Sequence, residues 1–202
     1  MMEQKAISKH LLKRQKVIGE HVEKELISYE SLLTRIRNGN RAAAAELVDI
    51  FYMQIYAYMR RLGYSSEVSE DLTQQTFLQI WQHIGQLRNS KALNSWIYKV
   101  ASNVSRLYLR KHKGKQTVNI EDVVLGYEKD NEENVVLNEQ LRQLNKILIQ
   151  MPVKFKEVII IHYLQGLNIS EGSRALGILE GTFKSRLNRG LKILRKELGS
   201  GE

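Results

Sequence analysis

Apolar residues recur at three- and four-residue steps along most of the chain, the spacing of helices with one buried face. Ser28 is a plausible N-cap for a short helix carrying Leu32, Leu33 and Ile36, and Asn38-Gly39-Asn40 ends it. From Arg41 to Leu62, the residues Leu47, Ile50, Phe51, Ile55, Tyr58, Met59 and Leu62 make a continuous core face. Gly63 closes that helix, and Ser65 or Ser66 caps the next, from about Glu67 to Ile84, with Phe77, Ile80, Trp81 and Ile84 on one side. Asp71, Gln74, Gln75 and Gln82 fall largely outside that stripe. After a break from Gly85 to Ser90, Leu93, Trp96, Ile97, Val100, Ala101, Val104, Leu107 and Tyr108 share one broad arc, predicted to be buried. The opposite arc, predicted to face outward, carries Ser95, Tyr98, Lys99, Ser102, Arg106 and Arg110.

The second half repeats the pattern. Leu137, Leu141, Leu144, Ile147 and Leu148 share a face, and Pro152 stands where a new helix can start, since proline is tolerated in a first turn. Val153 to Leu164 supplies Val158, Ile159, Ile161 and Leu164 to a core, and Gln165-Gly166 turns the chain. Ile169 to Leu176 then reads as a helix, Gly177 as its terminator, and Glu180 to Lys196 as a second helix with Phe183, Leu187, Leu191, Leu194 and Leu198 in one stripe. No strand alternation competes, so the chain is predicted to be all-α: two small helical domains, the second containing a helix-turn-helix.

Charge separates the halves. Residues 28–114 carry +6 and residues 139–202 carry +5, whereas residues 115–138 carry −4. The predicted organisation is an N-terminal extension over 1–27, a helical domain over 28–114, a flexible acidic linker over 115–136 and a helix-turn-helix domain over 137–202. About twenty extended residues span at most roughly 65 to 70 Å, so the two lobes need not touch. The net charge of +9 favours a polyanionic partner through counterion release. There is no cysteine, no apolar run of membrane-spanning length and no signal-peptide core, which points to a cytoplasmic protein without membrane insertion.

The candidate chemistry is binding. On the last long helix Thr182, Ser185, Asn188, Arg189 and Lys192 lie opposite the apolar stripe, flanked by Lys184 and Arg186, a basic donor-rich face of the kind that enters a major groove. Tyr98 among Lys99, Arg106 and Arg110 offers a ring for base stacking beside cations for the backbone. No phosphate-cradling glycine loop is present, the histidines at 10, 21, 83, 112 and 162 have no metal-ligand spacing, and Glu70 and Asp71 diverge on their helix. Neither catalysis, a cofactor, a metal nor a small-molecule substrate is therefore expected.

Taken together, Asp71 to Trp81 (DLTQQTFLQIW), Trp96 to Asn103 (WIYKVASN), and Met151-Pro152 with Gly166 to Arg189 resemble, in order and separation, the motifs of the extracytoplasmic-function (ECF) sigma factors of bacterial RNA polymerase. The resemblance covers about residues 28–198. It implies that the 28–114 domain is similar to sigma region 2 and binds core RNA polymerase through Asp71, Gln74 and Gln75. It also implies that Arg88, Asn89, Asn94, Tyr98, Lys99, Ser102, Arg106 and Arg110 capture and melt the proximal promoter element. The 137–202 domain, similar to region 4, would read the distal element through Thr182, Lys184, Ser185, Arg186, Asn188, Arg189 and Lys192. An anti-sigma factor is the implied regulator. The alternative from another class is a free-standing helix-turn-helix regulator acting as a dimer. Three departures from the family pattern stand out: Gln75 replaces an acid, Leu107 replaces a polar residue, and Gly172-Ser173 replaces an Ile-Ala pair. A helix-interior glycine costs roughly 1 kcal/mol relative to alanine, so a less stable second lobe is expected.

Overall fold

The computed structural model describes residues 29–112, 144 and 146–199. The expected N-terminal extension and acidic linker lie outside the described residues, as does Ser28. All described regular structure is helical.

The first lobe is built from α1 (29–37), α2 (Arg41–Leu62), α3 (Ser66–His83) and α4 (Leu93–Lys111). Each junction carries the local chemistry that stops one helix and starts the next. Gly39 adopts φ +76°, and the side chain of Asn40 then accepts from Ala43 N at 3.1 Å to cap α2. Gly63 ends α2 at φ +100°, a left-handed conformation that glycine enters without a Cβ penalty. Ser65 caps α3 by accepting from Val68 N. Short 3₁₀ turns at Ile84–Gln86 and Ser90–Ala92 lead into α4. Leu47, Phe51 and Ile55 of α2, Leu72 and Ile80 of α3, and Leu93 and Ile97 of α4 are fully buried or nearly so.

The second lobe begins with helical residues 146–150 and continues through α5 (Val153–Ile159), which widens into a π-helical turn at Ile160–Leu164. Then come α6 (Ile169–Leu176) and α7 (Glu180–Gly199). Pro152 is the N-cap residue of α5. Gly190 of α7 allows close approach to α5, since a Cβ there would stand 2.7 Å from Ile159 Cδ1.

The two lobes touch. α4 packs against α2 and α3 on one side and against α6 on the other, so its buried arc is wider than a single partner would make it. Leu93, Ser95, Ile97, Tyr98, Ala101, Ser102, Val104 and Ser105 are all buried. The outward placement expected for Ser95, Tyr98 and Ser102 is therefore corrected: they face the interior. Leu107, predicted to be core, is 45% exposed, because it shares the one uncovered arc with Lys99, Asn103 and Arg110. Leu198 is likewise 39% exposed, past the last turn of α7 that meets the core.

Candidate nucleic-acid interface

The helix-turn-helix forms as its sequence prescribes. Asn168 and Glu171 make a reciprocal capping box, the Asn168 side chain accepting from Glu171 N at 3.0 Å and Glu171 accepting from Asn168 N at 2.9 Å. Gly177, at φ +64°, donates to Arg174 O, and Ile178 N donates to Ser173 O at 3.0 Å, which closes α6 and swings the chain into α7. Phe183 and Leu187 hold α7 against the lobe. On the opposite face Lys184, Ser185, Asn188, Arg189 and Lys192 are exposed, whereas Thr182 and Arg186 are partly covered. None of Lys184, Arg189 or Lys192 makes an ion pair with a described residue.

Gly172 has a specific reason to be glycine. A Cβ on it would lie 2.7 Å from Cε2 and Cζ of Phe183 and 3.1 Å from Ile161 Cγ2. The volume of the Ile-Ala pair expected on α6 is thus supplied by a phenylalanine from α7, which is fully buried. Ser173 is buried too, its hydroxyl donating to Ser170 O at 2.9 Å. The space beside this pair is filled from across the turn.

On α3, Asp71, Gln74 and Gln75 are exposed on one face because Leu72, Thr73, Thr76, Phe77 and Ile80 take the buried side. The Thr73 and Thr76 hydroxyls are satisfied within the helix, donating to Ser69 O and Leu72 O at 2.7 Å. Leu78, 60% exposed, stands beside these polar residues.

The eight residues expected at the proximal element divide. Arg88, Asn89, Lys99 and Arg110 are exposed, and Asn89 caps the second 3₁₀ turn by accepting from Lys91 N at 3.0 Å. Asn94 is half-buried, its Oδ1 without a hydrogen-bond partner among the described residues. Ser102 and, in part, Arg106 are covered by the second lobe, and Tyr98 is covered from both lobes. The Tyr98 hydroxyl sits between Gln54, 3.4 Å away, and Gln165, and its ring packs edge-on against Tyr58 at 5.6 Å. Ser102 donates to Glu157 at 3.4 Å. Arg106 donates to Leu176 O at 2.9 Å and pairs with Glu157 at 3.3 Å.

Two charged residues of α5 complete this contact, and neither is legible as functional in the sequence. The Glu157 side chain is only 4% exposed. Burial pushes its carboxyl up from the usual carboxylate range, and the Arg106 guanidinium and the Ser102 hydroxyl pull it part of the way back. Lys156 donates to Ile149 O at 2.8 Å and, across the lobes, to Leu62 O at 3.0 Å. Leu62 ends α2, where the last carbonyls lack intrahelical partners and the helix dipole favours a cation. Burial lowers Lys156 to about 8.

A helix-turn-helix with an uncommitted basic face, carried on a second helical lobe, is the architecture of a sequence-specific DNA-binding protein. Comparison with known proteins narrows this. The family model "Sigma-70 region 2" matches residues 47–115 and "Sigma-70, region 4" matches residues 141–194, together more than half of the chain. The chain is similar to the ECF RNA polymerase sigma factor SigW of Bacillus subtilis, 26% identical over 176 residues, 82% of this chain and 94% of SigW. Its fold is similar to CnrH, solved in complex with the cytosolic domain of CnrY, at TM-score 0.63 and 17% identity over 85% of this chain and 97% of CnrH. It is similar also to RpoE of Bartonella quintana, solved with the anti-sigma factor NepR, at TM-score 0.61 and 19% identity over 78% of this chain and 98% of RpoE. The chain belongs to the ECF sigma factors, subunits that bind core RNA polymerase and direct promoter recognition and transcription initiation. Among the described residues, no helix is long and apolar enough to cross a membrane.

Proposed function

We propose that the 28–114 and 137–202 lobes divide the work of promoter selection. Asp71, Gln74 and Gln75 on the exposed side of α3 dock on core RNA polymerase. The loop around Arg88 and Asn89, with Asn94 and the Tyr98-to-Arg110 stretch of α4, holds the strand-separated proximal element, where bases stack on an aromatic ring and cations follow the phosphates. The exposed face of α7, from Thr182 to Lys192, reads the distal element in the major groove, with phosphate contacts setting register and base edges setting sequence. The chain supplies no catalysis of its own and acts in the bacterial cytoplasm. Because RpoE was solved with the anti-sigma factor NepR, we include an anti-sigma protein as the partner that silences this chain.

The observation that carries this reading is the α7 face, where Lys184, Arg189 and Lys192 are exposed, with no ion pair to a described residue, on the second helix of a well-capped helix-turn-helix. The test is a pull-down with purified core RNA polymerase followed by transcription from a promoter library. Stoichiometric binding and new start sites are expected. Retention on duplex DNA without polymerase binding would instead favour a free-standing regulator.

A further inference from the structure

Leu179 stands where the turn of the helix-turn-helix meets its second helix. Gly177 turns the chain, Ile178 packs against the core, and Leu179 is 80% exposed, more than any other large hydrophobic among the described residues. Its carbonyl accepts from Phe183 N at 2.9 Å, which makes it the residue that caps α7. On stability alone a leucine is a poor choice there. It has no side-chain oxygen to accept from the first amides of the helix, as Asn40, Ser65 and Asn168 do at the starts of α2, α3 and α6. Leu179 therefore serves neither the core nor the helix it begins.

The surroundings name a partner. The N-terminal residues of the second helix in this motif lie against base edges in the major groove. Glu180 and Gly181 are exposed, Gly181 with nothing within 4 Å of its Cβ position, and the first cation of α7 is Lys184, one turn further on. With an acid and no cation, this end of the helix is ill suited to phosphate, whereas Lys184, Arg189 and Lys192 suit it well. Of the groups that base pairs present in the major groove, all but one are hydrogen-bond donors or acceptors, and the exception is the C5-methyl of thymine. A leucine gains only from that one. We propose that Leu179 reads the C5-methyl group of a thymine in the distal promoter element, so that the turn adds an apolar contact to the polar reading by the α7 face from Thr182 to Lys192. This rests on the role assigned to α7 above.

The test uses the full chain assembled with purified core RNA polymerase, on a promoter selected from the library. Each thymine of the distal element, on either strand, is replaced in turn by deoxyuridine, which removes the methyl and keeps every hydrogen-bonding group. For the parent, one position is expected to lose about fourfold in affinity, the worth of one buried methyl. Leu179→Ala and Leu179→Ser are expected to bind the thymine promoter about fourfold more weakly and to treat thymine and deoxyuridine alike at that position. Leu179→Ser also supplies the missing cap, so its unfolding midpoint is expected to rise while its discrimination is lost, a pairing that damage to the fold cannot produce. Leu198→Ala, which removes an exposed leucine of the same helix outside the turn, is expected to discriminate as the parent does. A parent that treats thymine and deoxyuridine alike at every position, a distal element made only of G·C pairs, or variants that keep the parent's discrimination would each overturn the proposal. A Leu179→Ser midpoint below the parent's marks the leucine as structural and overturns it too. Lys184→Ala separates this failure from failure of the α7 reading. If Lys184→Ala weakens promoter binding and Leu179→Ala does not, only the leucine's part falls; if neither does, the assignment of α7 to the distal element falls with it.

Discussion

Gly172→Ala is expected to destabilise the second lobe even though it replaces a helix-interior glycine with the best helix former. On propensity alone the change gains about 1 kcal/mol. The new methyl, however, would stand 2.7 Å from two Phe183 ring atoms and 3.1 Å from Ile161 Cγ2, where carbon atoms prefer roughly 3.5 to 4.0 Å. Phe183 has no exposed surface and its ring meets His162 edge-on at 6.3 Å, so it has little free space to move into. Overpacking of this kind costs about 1 to 3 kcal/mol, and the strong overlap with two ring atoms places it near the upper end. The net expectation is a loss of about 1 to 2 kcal/mol. Urea unfolding followed by far-ultraviolet circular dichroism measures it as a lower midpoint at unchanged slope. Gly181→Ala is the internal control: nothing lies within 4 Å of its Cβ position, so it is expected to be neutral or to stabilise by up to about 1 kcal/mol. Phe183→Leu should then be less harmful when combined with Gly172→Ala than alone, with a coupling of about 1 kcal/mol or more. A Gly172→Ala protein as stable as Gly181→Ala, with no coupling to residue 183, would refute the size exchange between α6 and α7.

Three further outcomes are expected. Lys184→Ala and Arg189→Ala, on the open face of α7, each weaken duplex binding and reduce the salt slope by about 1, as measured by titration across ionic strength; an unchanged slope removes them from the phosphate contacts. Asp71→Ala with Gln74→Ala lowers polymerase capture at least about tenfold, a loss near 1.4 kcal/mol, while leaving the unfolding midpoint alone, because both side chains are exposed. Lys156 is held down to about 8 by burial against an ordinary value of 10.5, so between those values the unfolded chain binds more protons and stability rises with pH. The contribution is flat below about 8, it disappears in Lys156→Met, and it is best measured up to pH 9.5, before ionisation of Tyr58, Tyr64 and Tyr98 in the unfolded chain opposes it.

Sequence makes legible whatever depends on neighbours within a turn or two. The α6–Gly177–α7 unit can be read because its caps, its left-handed glycine and its 3.6-residue stripe are all local, and the exposed basic face of α7 follows from the same periodicity. The polar side of α3 is legible for the same reason. Periodicity misplaces Ser102 and Arg106 because their cover comes from residues some fifty to seventy positions later, and Tyr98 because it is covered both by Gln54 and Tyr58 some forty positions earlier and by Gln165; a serine or tyrosine opposite an apolar stripe gives no sign of a second partner. Lys156 and Glu157 read as ordinary surface charges, since nothing nearby in the chain reveals the carbonyl of Leu62 or the guanidinium of Arg106. Gly172 shows its intrinsic cost in sequence but not its cause, which is a ring on the next helix.

The covered α4 face also bears on how the protein shares a cell with its own genome. Non-specific attraction to DNA grows with the number of phosphates a protein neutralises at once, and chromosomal sites outnumber promoters by many orders of magnitude. A chain with both basic surfaces displayed would add the pull of one to the other and spend its time stranded on irrelevant sequence. With Arg106 turned inward against Glu157, part of the second surface proposed to meet DNA is withdrawn, and each molecule is expected to let go of the chromosome sooner and remain available to the enzyme it must join.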